Sequence, residues 1–417
     1  YTGSDTNVVI PSTYSISKDS GLAIDGTDYT VTGIGESAFE GKTSITSITI
    51  PEGVTNIGSR AFYRCRNLTS ITIPSSVTSI GNSAFYDCSR LTSITMPSSV
   101  TSIGNRAFYN CTRLTEINFN ATNMSDLSDN NFVFNNAGQY GTGITVNIGA
   151  NVTRIPAYLF CPFNINNLPN IVTVNFEEDS QCTEIGEEAF YYCSSLTSIT
   201  IPSSVTSIGN RAFYNCTGLT EINFNATNMS DLSSTNYVFA DAGEDSSGIV
   251  VNIGANVTRI PAYLFDNLSK IESVNFAENS QCTEIGDYAF DDCSSLTSIT
   301  IPSSVTSIGS YAFRYCSGLT TVTFGENSQL TSIGDYAFYN CSSLTSIAIP
   351  EKVTSIGTFA FSDCSNLTSV IFENTEGWYR TGSGTATSGT SVTVTDPAQN
   401  ATYLKSTYDG YYWKRNA

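Results

Sequence analysis

Histidine is absent from this 417-residue chain. Its absence removes Ser-His-Asp and Cys-His nucleophilic catalysis, HExxH zinc sites and histidine-ligated metals together. The thiols come next, because 12 cysteines could form disulfides or bind metal. Their spacing argues for neither. Nine of them (Cys65, Cys88, Cys111, Cys193, Cys216, Cys293, Cys316, Cys341 and Cys364) stand three residues after the Phe of a recurring Ala-Phe pair. Elsewhere that position holds Phe163, Leu268, Ala137 or Ala242, so it reads as an apolar core position. Cys182 and Cys282 fall where Val205 and Leu330 sit in other copies, a second core position, and only Cys161 lies outside both. Cysteine is used here as a small hydrophobe, and the thiols are expected to be free and buried. No CxxC pair supports a zinc ribbon.

Among the acids, the densest stretch is Glu177, Glu178, Asp179, Glu184, Glu187 and Glu188. Glycoside hydrolysis needs two carboxylates on either side of one bond, and no convergent pair is visible in this stretch. A polysaccharide-acting solenoid enzyme is therefore the alternative reading, with calcium binding at these acids a further one. A GxGxxA string (Gly33, Gly35, Ala38) has the look of a dinucleotide fingerprint, but its Ile-Gly recurs in one frame along the chain and marks a repeat turn. The bases are more informative. Six of 18 (Arg60, Arg64, Arg66, Arg90, Arg106 and Arg113) lie close together, with Asp87 the only acid between Arg60 and Arg113. They are the candidate partner-binding residues, since guanidinium forks suit carboxylate or sulfate groups. No catalytic, cofactor-binding or metal-binding residue is assigned.

The elements that position these groups are copies of one unit. Residues 196–216 read LTSITIPSSVTSIGNRAFYNC, and residues 91–111 repeat that string with Met96 in place of Ile201. The anchor Phe recurs at Phe39, Phe62, Phe85, Phe108, Phe190, Phe213, Phe290, Phe313, Phe338 and Phe361, most often 23 residues apart, with looser copies at Phe134, Phe160, Phe239 and Phe265. That makes fourteen repeats, a periodicity that specifies a solenoid rather than separate globular domains. Phe108, Phe134 and Phe160 return 105 residues later as Phe213, Phe239 and Phe265, the mark of a duplicated block.

Within a copy, Ile71 and Ile73 alternate with Ser70 and Thr72 as in a half-buried strand, which Pro74 ends. Val77 and Ile80 form a second short extended piece, Gly81 allows a turn, and SAFYDC is compact enough for one 3₁₀ or helical turn. Coils at about 4.8 Å each would stack to roughly 65 to 70 Å, an elongated monomer. The insertions at residues 120–143 and 225–248 share NATNMSDLS and are expected to project as loops.

The unit LTSITIPxSVTSIGxxAFxxC resembles the repeat of the BspA-like leucine-rich repeat surface proteins over residues 34–372, and the WYR…YLKSTYDGYYWKR end is similar to a segment seen in that family. The resemblance implies a leucine-rich repeat right-handed coil with a continuous parallel β-sheet, and an exported adhesion role towards host matrix or other cells. Residues 1–33 and 373–417 fall outside the repeat and are expected to cap the core at its N- and C-terminal ends. The expected function is a non-catalytic secreted or cell-surface scaffold that binds a host or cell-surface protein or glycan, without cofactor. A net charge of −19 disfavours nucleic acid as partner. No apolar run approaches the roughly eighteen residues that span a bilayer. The chain begins at Tyr1 rather than Met, so an upstream leader is expected to have been removed.

Overall fold

In the computed structural model, residues 3–15, 28–162 and 166–416 are described. The chain divides into two compact units, Tyr1–Leu196 and Thr197–Ala417. Each is a parallel β-solenoid.

In the first unit the alternating segments form a row of parallel strands that includes Ser47–Thr49, Ser70–Thr72, Ser93–Met96, Glu116–Phe119, Ile144–Ile148 and Ile171–Phe176. Equivalent positions of successive copies pair, as in Ser47 with Ser70 and Ser93 with Glu116. The short extended piece forms a second row, in which Gly33–Ile34, Asn56–Ile57, Ser79–Ile80 and Ser102–Ile103 pair in parallel. Leu91, Ile94, Met96, Val100, Ile103, Ala107, Phe108 and Cys111 of one coil are all at most 3% exposed. The anchor phenylalanines stack down the core, with Phe39, Phe62, Phe85 and Phe108 at 5.0–5.3 Å between successive ring centroids. This spacing follows the inter-strand distance, so the ladder of rings and the ladder of strands enforce one register.

The second unit repeats the plan. Its long strands include Ser198–Ile201, Glu221–Phe224, Ile249–Ile253, Ile271–Phe276, Ser298–Ile301 and Thr321–Phe324, followed by the pair Ser346–Ile349 and Ser369–Phe372. Its short row runs through Arg259–Ile260, Glu284–Ile285, Ser307–Ile308, Ser332–Ile333 and Ser355–Ile356.

Three expectations are refined. Gly81 is needed less for a turn than for contact between coils. A Cβ there would lie 2.5 Å from the Ser59 amide nitrogen and 2.7 Å from the Gly58 carbonyl carbon. The SAFYDC segment forms i→i−3 hydrogen bonds but no helix, because residues two before and two after the anchor Phe adopt positive φ. Ser83 (54°) and Asp87 (58°) do so around Phe85. The insertions do not simply project: Ala121, Met124, Val133 and Phe134 are at most 2% exposed, as Ala226, Met229, Val238 and Phe239 are at most 3% exposed in the other block. Their apolar residues extend the core wall while residues 128–130 and 139–142 stay largely at the surface.

At the N-terminal end Asn7–Val9 pairs in parallel with Ser47–Thr49. The rest of the expected N-terminal cap falls partly on residues 1–2 and 16–27, outside the described residues, as does Phe163. At the other end, Tyr412–Arg415 pairs antiparallel with both Ser355–Ile356 and Trp378–Thr381. Trp413 is fully buried, and Trp378 meets Phe372 edge-on at 4.9 Å. A short helix, Pro397–Thr402, starts at the N-cap Asp396, whose carboxylate accepts the Ala398 and Gln399 amides. Asn400, a fully buried residue of this helix, donates to the Val370 and Val394 carbonyls.

Candidate functional site

The departures from the uniform repeat gather at the Ala-Phe turn. Its backbone alternates between two uses. In one coil the amides of Ala61, Tyr63 and Cys65 bond three residues back, to the carbonyls of Gly58, Arg60 and Phe62. The amides of Arg60, Phe62 and Arg64 instead reach the next coil, at the carbonyls of Asn82, Ala84 and Tyr86. The left-handed residues at the two ends permit this alternation, so the turns form a bonded edge whose outer side chains vary.

All twelve cysteines are free and buried. They do more than fill space. Cys65, Cys88 and Cys111 each donate through Sγ, at 3.0–3.3 Å, to the carbonyl of the anchor Phe one coil earlier: Phe39, Phe62 and Phe85. Cys316, Cys341 and Cys364 do the same to Phe290, Phe313 and Phe338. Burial pushes the Cys65 thiol up to about 11 and the Cys88 thiol well above its ordinary value. Such thiols are poor nucleophiles and poor metal ligands. Cys161, outside the repeat positions, is also raised by burial and by Glu188, whose Oε2 lies 3.7 Å from Sγ.

The six candidate arginines are all exposed. Arg60 bonds Glu40 at 2.6 Å. Arg66 binds Asp87 Oδ2 through Nε at 2.9 Å and Nη2 at 2.7 Å, and Arg64 lies 3.9 Å from the same oxygen. Three of the six therefore share two carboxylates, and Glu40 was invisible to a count confined to the sequence between Arg60 and Arg113. Arg90, Arg106 and Arg113 have no carboxylate at ion-pair distance among the described residues. Beside them Tyr63, Tyr86 and Tyr109 stack at 4.9 and 5.0 Å, with Arg60 and Arg106 set against Tyr63 (4.4 Å) and Tyr109 (5.9 Å).

The acidic stretch does not converge. Glu177 accepts the Ala150 amide, and Glu184 pairs with Arg154, which also bonds Asp126 at 2.7 Å. The duplicated block carries the same arrangement as Asp231, Arg259 and Glu284. Among the described residues no three Cys, Asp or Glu are grouped to hold a metal.

The turn edge of the second unit holds a cleft that sequence inspection missed. It has a volume of about 520 Å³, and its lining includes Tyr237, Tyr263, Asp266, Tyr288, Asp291 and Arg314 together with Asn267, Asp292 and Tyr315. Here the aromatic row has moved. Tyr263, Tyr288, Tyr311, Tyr336 and Phe359, each two residues before an anchor Phe, stack at 4.5–4.9 Å. The position after the anchor, Tyr in coils such as those of Tyr63 and Tyr86, is instead Asp266, Asp291 and Arg314 in three successive coils. That substitution was legible as a departure from the repeat. Arg314 forks onto Asp291 through Nε and Nη2 and packs against the rings of Tyr288, Tyr311 and Tyr315 at 4.9–5.3 Å. Asp266 is 7% exposed and has no ion pair among the described residues; burial and then the Asp291 charge push its carboxyl up to about 6, against a hydrogen bond with Asn267 and the charge of Arg314.

Residues 32–167, 183–283, 246–330 and 283–399 match the BspA type Leucine rich repeat region (6 copies). The chain belongs to the BspA-type leucine-rich repeat family. Solved structures similar to this BspA-type chain include a leucine rich cell surface protein from Faecalibacterium prausnitzii, at 27% identity and TM-score 0.37, covering 90% of each chain. A leucine-rich repeat protein from Bacteroides ovatus is similar at 24% identity and TM-score 0.47, covering 88% of this chain and 92% of that one. The pneumococcal vaccine antigen PcpA is similar at 18% identity and TM-score 0.36, covering 90% and 91%. No curated protein matches the chain. Among the described residues no helix is long and apolar enough to cross a membrane.

Proposed function

We propose that this BspA-type chain is a non-catalytic binding or adhesion scaffold, secreted or held at the cell surface, that engages a host or cell-surface protein or glycan through its turn edge. The observation that carries the reading is the set Arg90, Arg106 and Arg113, exposed and without carboxylate partners at ion-pair distance among the described residues. Turns whose backbone is held by inter-coil hydrogen bonds leave only the side chains to be ordered on binding.

The strand face is the weaker candidate because, in the coils that carry Asn, its outward polar groups bond to one another. Asn147 donates to Asn118 and Asn175 to Asn147, and Asn252 and Asn275 repeat the ladder from Asn223.

The reading is tested by screening the protein against immobilised matrix proteins and sulfated oligosaccharides at two salt concentrations. The triple variant Arg90→Ser, Arg106→Ser, Arg113→Ser is expected to stay folded and to lose binding to the acidic partners. Binding that ignores both the variant and the salt would remove this edge; a protein that binds no partner in the screen would remove the scaffold reading.

A further inference from the structure

We propose that the Tyr263–Asp266–Tyr288 cleft is a seat for a basic side chain, an arginine or lysine presented by a protein partner. This site is separate from the arginine edge and carries the opposite charge.

The argument starts from a guanidinium the cleft already holds. Arg314 is set against three tyrosine rings and forked onto Asp291, its counterpart 23 residues earlier in the preceding coil. Cation–π contact and a charge-assisted bidentate bond are the two interactions that favour a guanidinium. Asp266 occupies the same position one coil further back. By the logic of the repeat its partner should come from the following coil, but the residue there is Asp291, another acid. Asp266 is therefore a buried carboxylate without an ion pair of its own among the described residues: Asn267 hydrogen-bonds it, and the nearby Arg314 is committed to Asp291.

Its surroundings complete such a seat. Tyr288 stacks on Tyr263 at 4.6 Å, and both residues line the cleft. Tyr237, 37% exposed, stands on the wall in the preceding coil. The charged groups facing Asp266 are Asp291, Asp292 and Arg314, with Asn267 offering its amide. The cleft thus holds three acids and one base, and one base already serves Asp291. A cation from outside would relieve the repulsion between Asp266 and Asp291, whereas an anionic partner would add to it.

The charge relation also gives the pH response. Burial raises Asp266 to about 6 and raises Asp291 and Asp292 as well, so acidification removes negative charge from the seat and should weaken a cation there.

The test uses the full chain and three probes: the blocked peptides acetyl-Gly-Arg-Gly-amide and acetyl-Gly-Glu-Gly-amide, and a neutral oligosaccharide. Binding is followed through the tyrosine ring resonances. At pH 7.5 the arginine peptide is expected to bind saturably and the glutamate peptide not to bind. Asp266→Asn should weaken the arginine peptide about fivefold or more, as should a shift to pH 5. Asp266→Asn replaces a repelled charge with a near-isostere and is expected to fold; Tyr237→Ser, at an exposed wall position, gives an independent loss. Saturable binding of the neutral oligosaccharide alone would make the cleft a glycan site and overturn the proposal. So would arginine-peptide binding that is absent, or unchanged in both variants. Either result leaves the arginine-edge reading standing, because that reading is scored by Arg90, Arg106 and Arg113.

Discussion

The thiol of Cys88 donates to the carbonyl oxygen of Phe62 at 3.2 Å, an oxygen that already accepts the Cys65 amide at 3.1 Å. A residue chosen in sequence terms as a small hydrophobe thereby ties one turn to the turn before it. Cysteine suits the position because its volume is near that of Ala while its S–H can reach a second lone pair of a buried carbonyl.

The thiols are expected to be silent towards a thiol-specific reagent in the folded protein at pH 8 and to react in denaturant without prior reduction. Burial holds Cys65, Cys182 and Cys282 up at about 11 and Cys364 at about 12, so the thiolate is scarce as well as inaccessible. Rapid labelling in buffer would contradict this. Cys88→Ala should cost about 1 kcal/mol or somewhat more, from one weak buried hydrogen bond and the lost sulfur contacts.

Phe85→Ala removes a fully buried ring stacked between Phe62 and Phe108 and is expected to cost about 3 to 5 kcal/mol, measured by denaturant unfolding. Gly81→Ala should also destabilise, because the atoms its Cβ would meet are backbone atoms of Ser59 and Gly58 that cannot rotate away.

Asp266→Asn should stabilise the protein at neutral pH. The carboxyl is raised from 3.8 to about 6. Below pH 3.8 both folded and unfolded chains hold the proton and the acid costs nothing. Between about 4 and 6 only the unfolded chain releases it, so stability falls as pH rises; above 6 the full cost is present, at most about 3 kcal/mol. The gain from the Asn variant should therefore be near zero at pH 4 and largest at pH 7. Asp126 and Asp231 have the opposite sign. Although burial opposes it, hydrogen bonds from an arginine (Arg154 or Arg259) and from a backbone amide (Ala157 or Ala262) hold each below the usual carboxylate range. Their contribution is present above pH 3.8 and is lost as pH falls below it.

We propose that residues 373–417 close the core at the C-terminal end. Trp413→Ala is then expected to cost about 3 to 5 kcal/mol and to expose apolar surface to a hydrophobic dye, because the indole is fully buried and stacks on Phe372 at 6.2 Å. Wild-type stability and no dye binding in this variant would show that the segment is an appendage.

The sequence alone determined the repeat, its register and its core. A strict period forces equivalent residues to stack, so Leu91, Ile94, Phe108 and Cys111 could be placed inside from their spacing, and Cys could be read as buried from what replaces it. The outward Ser and Thr positions followed from strand alternation. What only the tertiary structure decided concerns neighbours about one period apart, and the backbone between them. Glu40 neutralises Arg60, and Asp87 gathers Arg64 and Arg66, because stacking makes residues 20 to 26 positions apart adjacent while a charge count along the chain treats them as distant. Gly81 is fixed by the backbone of the preceding coil, and the turn amides by alternation between their own coil and the next. The cleft was half legible: Asp266, Asp291 and Arg314 depart visibly from the tyrosine position of other repeats. That one arginine forks onto Asp291 and leaves Asp266 without an ion pair depends on which side chain reaches which coil, and that is settled only by packing.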